Sequence, residues 1–218
     1  MLKLKLYCIT CKRQDLSYEE QVGQACRGGA DAIQFRDDEL SDTKILEIGE
    51  RLKKICGEKK VLFILNNRPD LALALDADGV HLGQNDIPVK WARQILGSAK
   101  IVGVSVSALG ESIAAEREGA SYIGLNPIFE TPIKAERKAL GLDIIGLIKK
   151  RVKVPVIAIG GITKDNVSEV IKAGADGVSV IRSVCGSKDI ISAAKELKTK
   201  IAETEREMAK TGFLKREK

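Results

Sequence analysis

Short, nearly continuous apolar runs alternate along this chain with longer stretches in which apolar residues recur every three or four positions. The runs occupy residues 4–10, 32–35, 61–65, 79–82, 101–106, 122–125, 156–159 and 177–181. Runs of this length, apolar on both faces, predict strands buried on both sides, as in a parallel sheet covered by helices. The helical patterns lie between them, at 18–27, 42–56, 69–75, 89–96, 110–118, 143–151, 164–173 and from 189 onward. A recurring phrase marks many of the junctions: Gly29-Ala30-Asp31-Ala32, Asp76-Ala77-Asp78-Gly79, Gly119-Ala120-Ser121-Tyr122 and Gly174-Ala175-Asp176-Gly177. Each closes a helix and opens a strand. Eight strand–helix units of even length predict a single-domain (β/α)8 TIM barrel, α/β in class, over residues 1–199; an open doubly wound sheet fits the count less well. Residues 200–218 read as the charged end of the last helix and a solvated tail.

Composition narrows the function. The chain has 218 residues, of which 44% are hydrophobic, 30% charged and 4% aromatic. That supplies an ordinary core and too few aromatic platforms for a single-strand nucleic-acid reader. Thirty-six Lys and Arg against thirty Asp and Glu give +6, and the stretch 197–218 carries seven basic and four acidic residues. A surplus so small and so concentrated argues against a nucleic-acid groove and suits small anionic ligands. Cys8, Cys11, Cys26, Cys56 and Cys185 are odd in number and accompany neither a leader nor a long apolar run, so reduced thiols in a cytoplasmic protein with no membrane contact are expected. Cys8 and Cys11, three apart on an extended segment, point to opposite faces, and a lone His leaves a zinc set incomplete.

In a barrel of this kind the loops after the strands share one face. There the chain carries Gln34 and Arg36, Asn66 and Asn67, Asp86, Ser105, Thr131 and Lys134, Gly160 and Gly161, and Ile181 and Arg182. The glycine pair, followed by Thr163 as the expected cap of a helix from Lys164, predicts a phosphate cradle of main-chain N–H groups shared with the loop after the eighth strand. Arg36, Lys134, Asn66 and Asp86 suit a second, more highly charged phosphate held with Mg²⁺, with Asp86 the leading metal ligand and Asn67 a neutral one. His81 is turned inward because Val80 and Leu82 face the helices, which makes it a packed or pocket-lining residue rather than a catalytic base.

These residues and their spacing resemble the thiamine phosphate synthase family over about residues 4–195. The stretches that carry the likeness are Asn66-Asn67-Arg68, Ala77-Asp78-Gly79-Val80-His81-Leu82-Gly83-Gln84-Asn85-Asp86, Gln34 to Arg36, Gly103-Val104-Ser105, Pro127-Ile128-Phe129, Pro155 to Thr163 and Gly174 to Ile181. The resemblance implies coupling of a hydroxymethylpyrimidine diphosphate to a thiazole phosphate, with pyrophosphate released and Mg²⁺ as cofactor. It implies that Gln34, Arg36, Asn66, Ser105 and Lys134 hold the pyrimidine diphosphate, with Arg36, Lys134 and Ser105 as the catalytic residues. Asn67 and Asp86 take the metal positions, and Thr131, Gly160, Gly161, Ile181 and Arg182 border the thiazole phosphate. The chain differs from the family pattern in having Asp38, Asn67, Asn126, Ile133 and Arg182. Two other readings are a thiazole tautomerase, whose expected His is Ser107 here, and a phosphate-binding regulatory protein without turnover. Oligomerisation is left open.

Overall fold

The computed structural model describes residues 2, 4–131 and 138–211. Its strands are β1 (Leu6–Ile9), β2 (Ala32–Phe35), β3 (Leu62–Asn66), β4 (Gly79–Leu82), β5 (Ile101–Val106), β6 (Tyr122–Leu125), β7 (Val156–Ile159) and β8 (Gly177–Val180). Between and after them run α1 (Tyr18–Arg27), α2 (Asp42–Lys59), α3 (Pro69–Ala74), α4 (Val89–Leu96), α5 (Leu109–Arg117), α6 (Asp143–Lys149), α7 (Val167–Lys172) and α8 (Ile190–Lys210). The strands pair in chain order, all parallel, and β8 closes on β1, giving the expected eight-stranded barrel.

Side chains alternate along every strand. Outward residues such as Cys8, Ile33, Phe63, Val80, Leu82, Val102, Ile123 and Val178 pack beneath the helices in one continuous apolar layer. Inward residues Tyr7, Ala32, Ile64, Tyr122 and Ile157, with Leu4, fill the lower barrel. The cavity can therefore open only toward the other end, where the strands finish.

The recurring phrase has a structural cause. Its first residue takes a left-handed conformation, with φ of 95° at Gly29, 49° at Asp76, 95° at Gly119 and 104° at Gly174. The following alanine N–H then reaches back to the last helical turn, as in Ala30 N to Ala25 O and Ala77 N to Ala72 O. The third residue, Asp or Ser, joins each even strand to the strand before it. Asp31 N donates to Leu6 O while Asp31 Oδ2 accepts from Leu6 N, and Asp78 does the same with Phe63. Ser121 pairs in this way with Val102, and Asp176 with Val156. Four reciprocal pairs thus bind the barrel at the end where its strands begin.

The ranges expected for β2, β4, β5, β6, β7, α1 and α4 coincide with those observed, and the start of α7 is corrected. Helix α7 begins at Val167 rather than 164: Asn166 Oδ1 accepts from Thr163 N, and Thr163 Oγ1 from Asp165 N, tying 163–166 into a turn. Thr163 therefore caps no helix. Helix α8 runs past Thr199 to Lys210 and buries Ile201, Thr204 and Met208, so its charged surface is one face of a packed helix. All five cysteines are free, and burial pushes the Cys8 and Cys185 thiols well above their ordinary range. No helix among the described residues is long and apolar enough to cross a membrane.

Candidate active site

A cavity of about 510 Å³ opens where the strands end. Gln34, Arg36, Asn66, Asn67, Asp86, Ser105, Thr131, Gly160, Gly161, Ile181 and Arg182 all line it. The structure thus gathers into one hollow nearly every residue singled out from the sequence; Lys134 and Ile133 lie outside the described residues. Arg36, Asp86 and Gly161, from three separate loops, face the same space.

One wall is main chain. Gly160 and Gly161 have φ of 99° and 66°, and a Cβ at Gly161 would lie 2.7 Å from Phe129 Cβ and 2.8 Å from Glu130 O. Only glycine fits there. The loops after β7 and β8 are folded through their carbonyls: Gly160 O accepts from Phe129 N, Gly161 O from Asn166 Nδ2, Ile162 O from Ser183 Oγ and Ile181 O from Cys185 N. Among the described residues none of these bonds uses the N–H of Gly161, Ile162, Arg182 or Ser183. Loop donors, rather than the expected helix end, are therefore available to an anion.

The opposite wall carries charge and amide oxygens. Arg36 follows β2, and its main chain is pinned by Thr10, whose Oγ1 accepts from Arg36 N at 3.0 Å and donates to Arg36 O at 3.3 Å. Its guanidinium pairs with Asp38 at 2.7 Å. Arg68, by contrast, is engaged by Asp42 and Asp70 and belongs to the outer surface. Asn67 sits left-handed at φ 62°, a conformation that Asn tolerates, with its N–H bound to His81 O at 2.8 Å. Asp86 Oδ2 accepts from Gly83 N at 2.5 Å, which fixes the carboxylate at the rim. One carboxylate among amide oxygens is a donor set that fits Mg²⁺, which takes few protein ligands and keeps positions for phosphate oxygens.

Below them lies a buried polar chain. Gln34 Nε2 donates to the Tyr7 hydroxyl at 2.8 Å, and the Tyr122 hydroxyl donates to Tyr7 at 3.1 Å. His81 places Nδ1 at 2.9 Å from the Tyr122 hydroxyl and Nε2 at 3.0 Å from Ser105 Oγ. The Tyr7 and Tyr122 hydroxyls, the His81 ring and Ser105 Oγ thus form one continuous hydrogen-bonded chain that ends at the cavity. Burial pushes both phenols well above their ordinary range, so they stay protonated. His81 is thus the inward, hydrogen-bonded residue expected.

Known proteins complete the picture. A sequence model described as thiamine monophosphate synthase (TMP-TENI) matches residues 6–184. The chain belongs to the thiamine monophosphate synthase family. A thiamine-phosphate synthase of Pyrococcus furiosus is 43% identical over 201 residues, covering 92% of this chain and 96% of that protein. Another member of the family, from Methanoregula boonei and also named thiamine-phosphate synthase, is 45% identical over 204 residues, covering 92% and 94%. The solved structure of a thiamine phosphate pyrophosphorylase from P. furiosus superposes with a TM-score of 0.87 at 42% identity, covering 93% of this chain and 97% of that one.

Several lining residues were given no role in the sequence reading: Ile9, Gln84, Asn126 and Ser179, together with the supports Tyr7 and Thr10. The period-two alternation that turned His81 inward also turns Ser179 inward, two residues before Ile181, and that was the signal available.

Proposed function

We propose that this chain is a thiamine-phosphate synthase, a transferase that joins a hydroxymethylpyrimidine diphosphate to a thiazole phosphate and releases pyrophosphate. The observation that carries the reading is the meeting, in one cavity, of main-chain donors after β7 and β8 with Arg36, Asn66, Asn67 and Asp86 after β2, β3 and β4. Two anion sites of different chemistry, one for each phosphorylated substrate, are what such a coupling needs. The electron-rich pyrimidine supports positive charge on its methylene as the diphosphate leaves, and the thiazole nitrogen then attacks. The protein's task is to stabilise negative charge on the leaving group. Arg36 supplies a fixed cation for it, and Lys134 is proposed as a second. Asn67 and Asp86 would hold Mg²⁺, which offsets diphosphate charge when bound. Ser105, oriented by His81, accepts a hydrogen bond from the pyrimidine amino group, while Thr131, Gly160, Gly161, Ile181 and Arg182 enclose the thiazole phosphate.

Ser107 does not favour the tautomerase reading: its N–H and hydroxyl are both taken by Glu111 Oε2, at 2.6 and 3.1 Å. Incubating the purified protein with both substrates and Mg²⁺, and measuring thiamine phosphate by chromatography, tests the proposal. Product formation supports it. Binding of both substrates without product would make the chain a regulatory protein, and isomerisation of a thiazole carboxylate phosphate would make it a tautomerase.

Asn67 offers a second, metal-centred test. Asn67→Asp adds a charged oxygen at a left-handed position that Asp also tolerates. It is expected to lower the Mg²⁺ concentration for half-maximal activity by about tenfold, since ligand charge sets affinity for hard cations. An unchanged Mg²⁺ titration would remove Asn67 from the ligand set.

A further inference from the structure

Ser179 is a buried polar residue that the fold does not explain. It lies in the middle of β8, where Val178 packs outward and Ser179 points into the barrel beside Tyr7 and Ile159, its register partners on β1 and β7. It is 1% exposed and lines the cavity, and among the described residues its Oγ is the buried side-chain polar atom that finds no hydrogen-bond partner. Every other buried hydroxyl of the floor is tied in: Tyr7, Tyr122 and Ser105 form one chain with Gln34 and His81. Burying an unpaired hydroxyl is unfavourable, and an apolar residue would fill the same place without that cost. The compensation must come from what enters the cavity.

Resting on the synthase reading, we infer that Ser179 contacts substrate and hydrogen-bonds the edge of the aminopyrimidine ring. Position and chemistry select that ring. Ser179 lies two residues before Ile181 on the same inward face of β8, about 7 Å beneath the loop donors that face an anion. Only β1 separates it from Gln34, so the two residues stand about 10 Å apart at the backbone along one wall of the same cavity. The thiazole nitrogen is the nucleophile and must keep its lone pair for the methylene carbon, and the ring sulfur is a poor acceptor. The aminopyrimidine presents two ring nitrogens and an amino group, which a hydroxyl can match as donor or acceptor. Ser179 therefore reads the pyrimidine from the β8 side, a quarter turn around the wall from Gln34, and it discriminates against rings lacking that edge.

The test is Ser179→Ala, compared with the unsubstituted protein by calorimetric titration with aminopyrimidine diphosphate and, separately, with inorganic pyrophosphate. The alanine variant should bind the pyrimidine ligand about tenfold more weakly, bind pyrophosphate unchanged, and melt at the same temperature or higher. Equal binding of the pyrimidine ligand by both proteins would overturn the inference, as would parallel loss of both ligands or a lowered melting temperature, each of which marks a structural role. Selective weakening in a protein that forms no thiamine phosphate would overturn the proposed activity and leave the Ser179 contact standing.

Discussion

Arg36→Ala is expected to lower kcat/KM for thiamine phosphate formation by on the order of 100- to 1,000-fold, the usual consequence of removing one fixed donor from a developing anion. The backbone of Arg36 is held by Thr10, just past the end of β1, so the guanidinium projects from a rigid base into the space where the diphosphate is proposed to lie. Its present partner, Asp38, is exposed enough for the pair to contribute at most about 1 kcal/mol to stability. The variant should thus melt close to the parent while losing turnover. Steady-state kinetics beside a thermal melt separates the two effects. A loss of less than fivefold would mean that Arg36 does not face the leaving group.

Gly161→Ala should act on the other substrate. A methyl group there meets Phe129 Cβ and Glu130 O at under 3 Å, and the backbone sits at φ 66°, a region that alanine occupies at a cost of about 1–3 kcal/mol. The strand-six loop must shift or the glycine turn must rotate, and either movement disperses the loop donors. The expected result is a rise of about 100-fold in KM for the thiazole phosphate, with KM for the pyrimidine diphosphate within about threefold of the parent, as an unperturbed site requires. Gly57→Ala, on α2 with open space around it, is the control and should change neither constant. Equal rises for both substrates would show that the glycine turn supports the cavity as a whole instead of one anion site.

The fold was legible because its two periods are clean. Runs such as Tyr122–Leu125 and Val156–Ile159 are apolar throughout, and each is preceded by turn residues that leave no doubt where it starts. Boundaries drifted where side chains outvoted the pattern. Asn166 and Thr163 tie up the residues that would otherwise begin α7, and Ile201 and Met208 keep α8 packed as far as Lys210, a limit that the charged composition of the stretch does not mark. The rim of the site was legible from charge and glycine placement after the strands. Its floor was not, because Tyr7, Tyr122 and Ser179 sit inside strands and look like packing residues until their hydroxyls are placed. Arg68 shows the reverse limit: it follows Asn66 and Asn67, which line the cavity, but its own fork is spent on Asp42 and Asp70.

The four reciprocal pairs made by Asp31, Asp78, Ser121 and Asp176 all lie at the far end from the cavity. Foundation and workshop are therefore different storeys of the same building. Loops on the upper storey can be lengthened, recharged or exchanged for a new ligand while the joints below still hold the eight staves in register. A redesign of this barrel can leave those four residues untouched and treat everything above Gln34 and Ser105 as open ground.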